Sequence, residues 1–453
     1  MKVPWTESEW RRVLVYGLGA SGLAAANLLR SRGVEVLGVD KRSIEALDLI
    51  GLSDDPGVEL ILGGELESLP SQIDGVVVSP GIRPEKPLLA AARSAGLPVV
   101  GEVELAYQFL DGEIIGITGS NGKSTTTLMT GELLKAAGMA VEVCGNIGVP
   151  LCAKVDGAPD RTFVTELSSF QLDSVDTFRP RAAALLNLSE DHLDWHGDKQ
   201  RYFTAKKKLF SNQQSGDVAV LNADDEDVSN VAVEARRRFF SSRGRVEDGC
   251  YLDGDIVVEV DPHSGRQPLF RCSDVALPGP HNLENAMAAA LLSLAVGADP
   301  AVFSQALAQF RGLPHRLQWI AERHGVSWYD DSKATNFAAT ERSLEGFGER
   351  SVHLILGGRN KGGDPGSLAD VVKRKVRRIY LVGEATDEIE AALGERVACE
   401  RAGTLRLAVT AAERAAEPGE IVLLSPACAS FDQYRSFAER GDHFQDLVRI
   451  SNG

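Results

Sequence analysis

Short apolar runs alternate with helix-like amphipathic stretches along nearly the whole chain, and they group into three blocks. In the first, Val13-Leu14-Val15-Tyr16 leads through a glycine turn into the helical pattern Leu23–Arg30. Val34–Val39 then reads as a strand ending at Asp40, and Gly75–Ser79 and Pro98–Gly101 complete the block. The second opens on Glu113-Ile114-Ile115, a turn of small residues and a helix over Thr125–Ala137. Its later strands read Thr162–Glu166, Ala182–Leu188 and Val218–Asn222, with helices over Arg201–Phe210, Leu283–Val296 and Ala301–Phe310. Val326–Tyr329, Val352–Leu356, Ile379–Val382 and Ile421–Leu424, separated by helices, form the third. This alternation predicts an α/β protein of mostly parallel sheets, with ligands at the carboxyl ends of strands. Gly312-Leu313-Pro314 has linker chemistry, so the expected domains are 1–101, 102–312 and 313–453.

Composition narrows the class. A chain of 453 residues accommodates two to four domains at ~100–200 residues each. A net charge of −16 argues against a nucleic-acid scaffold. The basic run Lys373–Arg378 reads as a solvated helix end ahead of the strand Ile379–Val382. Six scattered cysteines without a C-x-x-C pair suggest neither a disulfide framework nor a zinc site, which fits a reducing cytoplasm. MKVPWTESEWRR has charges where a signal peptide needs an apolar core, and Ala286–Ala298 is too short to span a bilayer. No membrane insertion is expected.

The sharpest chemistry lies in Gly116–Thr127, GITGSNGKSTTT. A strand, a glycine-rich turn and a helix opening on Lys-Ser cradle a polyphosphate, here read as that of ATP. Gly119, Asn121 and Gly122 would present backbone N–H groups, Lys123 a point charge, and Ser124 and Thr125 hydroxyls, Ser124 toward Mg²⁺. Asn121 stands where the usual spacing from Gly116 demands a second glycine. In the first block, Gly17-Leu18-Gly19-Ala20-Ser21-Gly22 with Asp40 is a dinucleotide fingerprint. It would suit NAD, or equally any diphosphate such as a UDP-sugar, and Ser79-Pro80-Gly81-Ile82 is a second loop past a strand. Glu166 ends an apolar strand, where it either holds the Mg²⁺ that Ser124 touches or is a surface acid. His192 sits among acids past a further strand end and makes a second metal plausible, whereas Lys206-Lys207-Lys208 reads as solvated charge.

Eight strings, TGSNGKST, ELSSFQL, NLSEDHLD, HNLENA, GLPHR, DDSKATN, GGRNKGGD and LSPACASFDQ, occur in order along nearly the full length. With them the chain resembles the Mur ligase family, in particular its D-glutamate-adding branch, whose phosphate loop shares the unusual spacing. The resemblance implies a Rossmann-like N-terminal domain, a central ATPase domain and a Rossmann-like C-terminal domain. It implies an ATP-dependent ligase joining UDP-N-acetylmuramoyl-L-alanine to D-glutamate through an acyl phosphate, in peptidoglycan precursor synthesis, by a cytoplasmic monomer. Lys123 would neutralise the transferring phosphoryl group, Ser124 and Glu166 would hold one Mg²⁺, and His192 a second. Lys206 matches the position of the family's carbamylated lysine. By the same carry-over Ser21, Asp40, Lys41, Ser79 and Gly81 would hold the uridine diphosphate, and Asn146, Ser168 and Gln171 the muramoyl part. Asn282, Asn285, Arg316 and Asp331 would bind ATP, and Thr335, Lys361, Ser430 and Phe437 the D-glutamate. A sister ligase adding another amino acid, an NAD oxidoreductase and a non-catalytic nucleotide-binding protein remain as alternatives.

Overall fold

The computed structural model describes residues 9–450 except positions 48, 50, 67, 158, 159, 190–192 and 313. It divides into two compact units, Met1–Asp274 with Leu283–Ala308, and Val275–Asn282 with Gln309–Gly453.

The first unit carries two sheets. One is five-stranded and parallel, from β1 (Arg12–Tyr16), β2 (Glu35–Asp40), β3 (Val58–Leu62), β4 (Gly75–Val78) and β5 (Val99–Gly101), in the order β3-β2-β1-β4-β5. The chain reverses direction across the sheet at β1, and a crevice for ligands opens at such a switch point. The glycine turn after β1 lies there, with Gly17 N–H donating to the Val39 carbonyl at 2.8 Å and Ser79 N–H to that of Tyr16 at 2.9 Å.

The second sheet holds β6 (Gly112–Thr118), β7 (Val141–Gly145), β8 (Arg161–Glu166), β9 (Ala182–Leu185), β10 (Val218–Asn222), β11 (Arg236–Ser241), β12 (Gly249–Asp253), β13 (Ile256–Asp261) and β14 (Gly265–Arg271). Their order is β14-β13-β12-β11-β10-β9-β6-β8-β7, so the strand entering the phosphate loop is central. One apolar cluster runs from Val13, Ala25 and Leu29 through Leu151 and Phe178 to Ala183 and Leu221, which joins the two sheets into one body.

The second unit has a six-stranded sheet, β15 (Gln318–Arg323), β16 (Val326–Asp330), β17 (Val352–Gly357), β18 (Val376–Val382), β19 (Ala398–Gly403) and β20 (Ile421–Ala427), ordered β15-β16-β20-β17-β18-β19. Every neighbour pair but β15–β16 is parallel.

The α/β class and the predominance of parallel pairing hold, with one extension beyond the expected strands. β12, β13 and β14 pair antiparallel and prolong the central sheet. Their edge strand is exposed over Gly265–Pro268, so no apolar run marks it. The readable signal is Asp253-Gly254, a hairpin step in which Gly254 takes φ +67°. Several elements also shift at their ends. The 201–210 helix is an α-helix over Lys199–Lys207 followed by a 3₁₀ turn over Lys208–Phe210. The basic run straddles a helix end at Lys375 and the first residues of β18.

Gly22 shows how tightly the glycine turn is built. A Cβ there would stand 1.8 Å from the Gly17 carbonyl oxygen and 2.8 Å from Ser79 Oγ. Backbone cannot yield as a flexible side chain does. Gly22→Ala is expected to destabilise the first unit by about 3 kcal/mol or more, read as a several-degree loss in thermal midpoint; an unchanged midpoint would contradict the packing described.

Candidate functional site

β6 is buried from Ile114 to Thr118, and the chain turns at Gly119–Gly122 into the helix Lys123–Ala136. Gly122 supplies the left-handed backbone that the turn needs, at φ +81°, and no side chain caps the helix. The first-turn N–H groups and the positive end of the helix dipole therefore point to an anion. Asn121 is not a positive-φ position, so the missing second glycine costs the turn nothing.

Two lysines converge below this turn. Lys123 Nζ donates to the Gly119 and Ser120 carbonyls, each at 2.9 Å. Lys206 Nζ donates to the same Gly119 oxygen at 2.8 Å and lies 4.5 Å from the Tyr202 ring centroid. Lys206 is 1% exposed, which corrects its reading as solvated charge. Ser124 and Thr125 are buried in the first turn. Asn285 reaches the loop from the helix Pro280–Ala295: its Oδ1 accepts from Thr126 Oγ1 at 3.2 Å, and a Cβ on Gly122 would approach it to 2.3 Å.

Glu166 ends β8 in register with Ile117 of β6, one strand from the phosphate loop. Its Oε1 accepts from Asn146 Nδ2 at 2.8 Å, while Oε2 is buried without a hydrogen-bond partner among the described residues. An orphaned carboxylate oxygen is expensive unless a cation completes it. Glu166 and Ser124 therefore fit Mg²⁺, which takes one or two protein ligands and fills its remaining positions with phosphate and water. Among the described residues no three His, Cys, Asp or Glu side chains gather into a metal site of their own. His192, with Glu190 and Asp191, lies outside the described residues.

A cavity of about 410 Å³ lies over the first block's glycine turn. Ser21, Asp40, Lys41, Ser79 and Gly81 line it from one side and Asn146 and Gln171 from the other, so seven expected substrate residues share one space. Ser168 is not in that lining. It caps the helix Ser169–Asp173 in a reciprocal capping box with Gln171, which fixes how Gln171 is presented. Asp40 is buried and fully engaged: it accepts from Leu18 N–H at 2.7 Å and from Arg42 N–H, Nε and Nη2 at 2.7–2.9 Å. The Arg42 hydrogen bonds hold its carboxyl down at about 2. Arg42 also lines the cavity, and only its place beside Asp40 marks it in the sequence.

In the second unit Asp331 is buried and accepts from Ser343 Oγ and Ser425 Oγ, both at 2.7 Å, and from Leu317 N–H at 3.2 Å. Burial pushes its carboxyl up to about 6 despite these bonds and the nearby Arg316 charge. Asn282 donates to the Pro278 carbonyl at 2.7 Å. Ser430 is buried, Thr335 half-buried, and Lys361 and Phe437 exposed. Phe437 stands edge-on to His315, whose Nδ1 lies 2.7 Å from Asp330 Oδ2. Arg440, which the sequence does not mark, is buried and donates to the Ser332 and Cys428 carbonyls at 2.9 and 3.2 Å. It ties the DDSKATN turn to the LSPACASF turn.

Family models match in three consecutive segments: the Mur ligase MurD-like N-terminal domain at 11–101, the Mur ligase middle domain at 117–293, and the Mur ligase glutamate ligase domain at 315–428. A UDP-N-acetylmuramoylalanine–D-glutamate ligase of Acidobacterium capsulatum is 43% identical over 453 residues, 99% of this chain and 98% of its own length. The enzyme of that name from Koribacter versatilis is 42% identical over 443 residues, 97% of each chain. Among solved structures, a Thermotoga maritima MurF ligase in complex with ADP superposes with a TM-score of 0.59 at 17% identity, covering 97% of this chain and 98% of its own. A UDP-N-acetylmuramate–alanine ligase of the same organism gives 0.56 at 19%, covering 98% and 100%. At these identities the two structures speak for the fold alone.

Two outcomes follow from this geometry. Lys123→Ala should lower ATP-dependent turnover at least about a hundredfold while shifting the thermal midpoint by only a few degrees; wild-type turnover would contradict its role. Asp331 binds a proton more readily folded than unfolded, so its contribution to stability is fully present below the unfolded carboxyl value of 3.8 and is lost as pH rises through about 6. Asp331→Asn should therefore flatten the dependence of the second unit's urea midpoint on pH between 4 and 6.

Proposed function

Because this chain belongs to the Mur ligase family, we propose that it joins D-glutamate to UDP-N-acetylmuramoyl-L-alanine, with ATP converted to ADP and phosphate, in peptidoglycan precursor synthesis. The observation that carries this reading is an uncapped phosphate-loop helix one strand from a buried Glu166 oxygen that has no partner among the described residues, in a chain whose full-length relatives are D-glutamate ligases.

The alanyl carboxylate attacks the γ-phosphorus, ADP departs, and a mixed acyl phosphate forms. The D-glutamate amine then adds to the acyl carbon, phosphate leaves, and the amine proton is lost as the amide closes. A carboxylate and a triphosphate repel, so cations and orientation must supply the catalysis. Lys123 offsets charge on the transferring phosphoryl group, and the first-turn N–H groups hold the β- and γ-phosphates. Mg²⁺ at Ser124 and Glu166, with a second ion at His192, would neutralise the remaining charge between the two reacting anions. Carbamylation of Lys206 would turn a buried cation beside Lys123 into an anion for that second ion. Intact mass measured in bicarbonate would reveal it as an added carboxylate.

Ser21, Asp40, Lys41, Ser79 and Gly81 bind the uridine diphosphate, and Asn146, Ser168 and Gln171 the muramoyl part. The cavity that most of them share supports this, as do the nucleotide-binding turns of both sheets. Asp40 would act there mainly by organising Leu18 and Arg42, since both its oxygens are engaged. Asn282, Asn285, Arg316 and Asp331 serve ATP, and Thr335, Lys361, Ser430 and Phe437 serve D-glutamate. The working domains are 1–101, 102–312 and 313–453. No described helix is long and apolar enough to cross a membrane. The chain would act as a monomer in the cytoplasm.

An acceptor panel tests the reading. Phosphate release should require ATP, Mg²⁺, UDP-N-acetylmuramoyl-L-alanine and D-glutamate together, and L-glutamate, L-alanine or a diamino acid should support less than a few per cent of the rate. Preference for another amino acid would identify a sister ligase, and release without the UDP substrate would refute the assignment.

A further inference from the structure

β6 and β9 run parallel as far as Thr118 and Leu185. An ordinary ladder would stop there, because the β6 chain turns away into the phosphate loop. Here it continues. Leu186 N–H donates to the Thr118 carbonyl at 3.0 Å, and Ser120 N–H donates to the Asn187 carbonyl at 3.0 Å. The Asn187 side chain then takes over from backbone. Its Oδ1 accepts from Asn121 N–H at 2.8 Å, and its Nδ2 donates to the Asn121 carbonyl at 3.1 Å. A carboxamide has one acceptor and one donor side by side, the same pair that a strand's peptide groups present. Two residues beyond Asn187, Ser120 Oγ donates to the Ser189 carbonyl and accepts from Ser189 N–H, both at 3.0 Å.

We infer that Asn187 is a positioning residue for the nucleotide-dependent step, its carboxamide serving as a surrogate strand that holds Asn121 and sets the phosphate loop for a triphosphate. The inference rests on the ligase reading and deepens its ATP site. It also accounts for the loop's departure from the usual spacing. The peptide on the amino side of Asn121 offers its N–H to Asn187, and the peptide on the carboxyl side offers its carbonyl. Both peptides are anchored sideways, so the loop keeps its shape without a glycine at this place. The same segment, Asn187–Ser189, leads straight into the stretch holding His192, so one set of bonds registers the phosphate loop with the chain that follows β9.

A merely structural asparagine would not discriminate among substrates, and this is what the experiment reads. Binding of ADP with Mg²⁺ is measured by calorimetry on the full chain, with KM for ATP, for UDP-N-acetylmuramoyl-L-alanine and for D-glutamate. Asn187→Ala removes two neutral hydrogen bonds and should weaken ADP and raise KM for ATP by about tenfold to thirtyfold. The other two KM values should stay within about twofold. Asn187→Asp keeps the acceptor but loses the donor and sets a negative charge against the Asn121 carbonyl, so it should bind ADP no better than Asn187→Ala. Asn222→Ala is the structural control. It removes a 3.0 Å bond to the Leu186 carbonyl in the same strand end, and should lower the thermal midpoint without changing ADP affinity. Unchanged ADP binding in both Asn187 variants, or a parallel rise in all three KM values, would overturn the inference. Failure of the wild-type chain to bind ADP would instead remove the ligase reading, and the inference with it.

Discussion

A helix N-terminus left without a cap is the constraint around which the first unit is built. A first turn without a side-chain cap presents N–H groups that an anion can satisfy. The surrounding structure therefore holds the turn from every side except the front. Lys123 and Lys206 brace the Gly119 carbonyl, Asn187 and Ser189 hold Asn121 and Ser120, and Asn285 closes on Gly122 and Thr126. The loop is thereby shaped before a ligand binds, which is how electrostatic stabilisation avoids reorganisation during reaction.

Three buried carboxylates illustrate how environment separates chemically identical groups. Asp40 is saturated by Arg42 and two backbone N–H donors, and it stays ionised far below neutral pH. Asp331 is surrounded by two hydroxyls and one N–H, which offset burial only in part, and it titrates near 6. Glu166 has one oxygen satisfied by Asn146 and one with no partner. Of the three, only Glu166 keeps a buried oxygen without a partner among the described residues, and its proposed place beside a cation rests on that oxygen. Asp40 and Asp331 use their oxygens on the turns and hydroxyls around them.

Much of the site was legible because phosphate chemistry constrains sequence locally. The strand-turn-helix at Gly116–Thr127, the glycine turn before Asp40 and Glu166 at a strand end are all short-range patterns. Asn187 and Arg440 were not, since each acts on a partner brought close only by the fold, while Arg42 and Tyr202 lie near Asp40 and Lys206 in the chain but belong to no pattern of their own. Arg440 lies more than a hundred residues from the Ser332 carbonyl it binds. In the β12–β14 extension only the edge strand β14 lacks an apolar run at its exposed start, whereas Ile256-Val257-Val258 of β13 is a short apolar run of the usual kind.

The linear chain determined the alternation of strands and helices, the positions of the phosphate-binding turns and the kinds of side chain available at each strand end. These depend on backbone conformation and residue chemistry, both of which act over a few neighbours. Tertiary structure alone decided that Lys206 is buried against Gly119 rather than solvated, that Asp40 spends its oxygens on Arg42, and that one Glu166 oxygen is left over. Those outcomes depend on which distant groups compete for the same hydrogen bonds in space, and no local pattern encodes that competition.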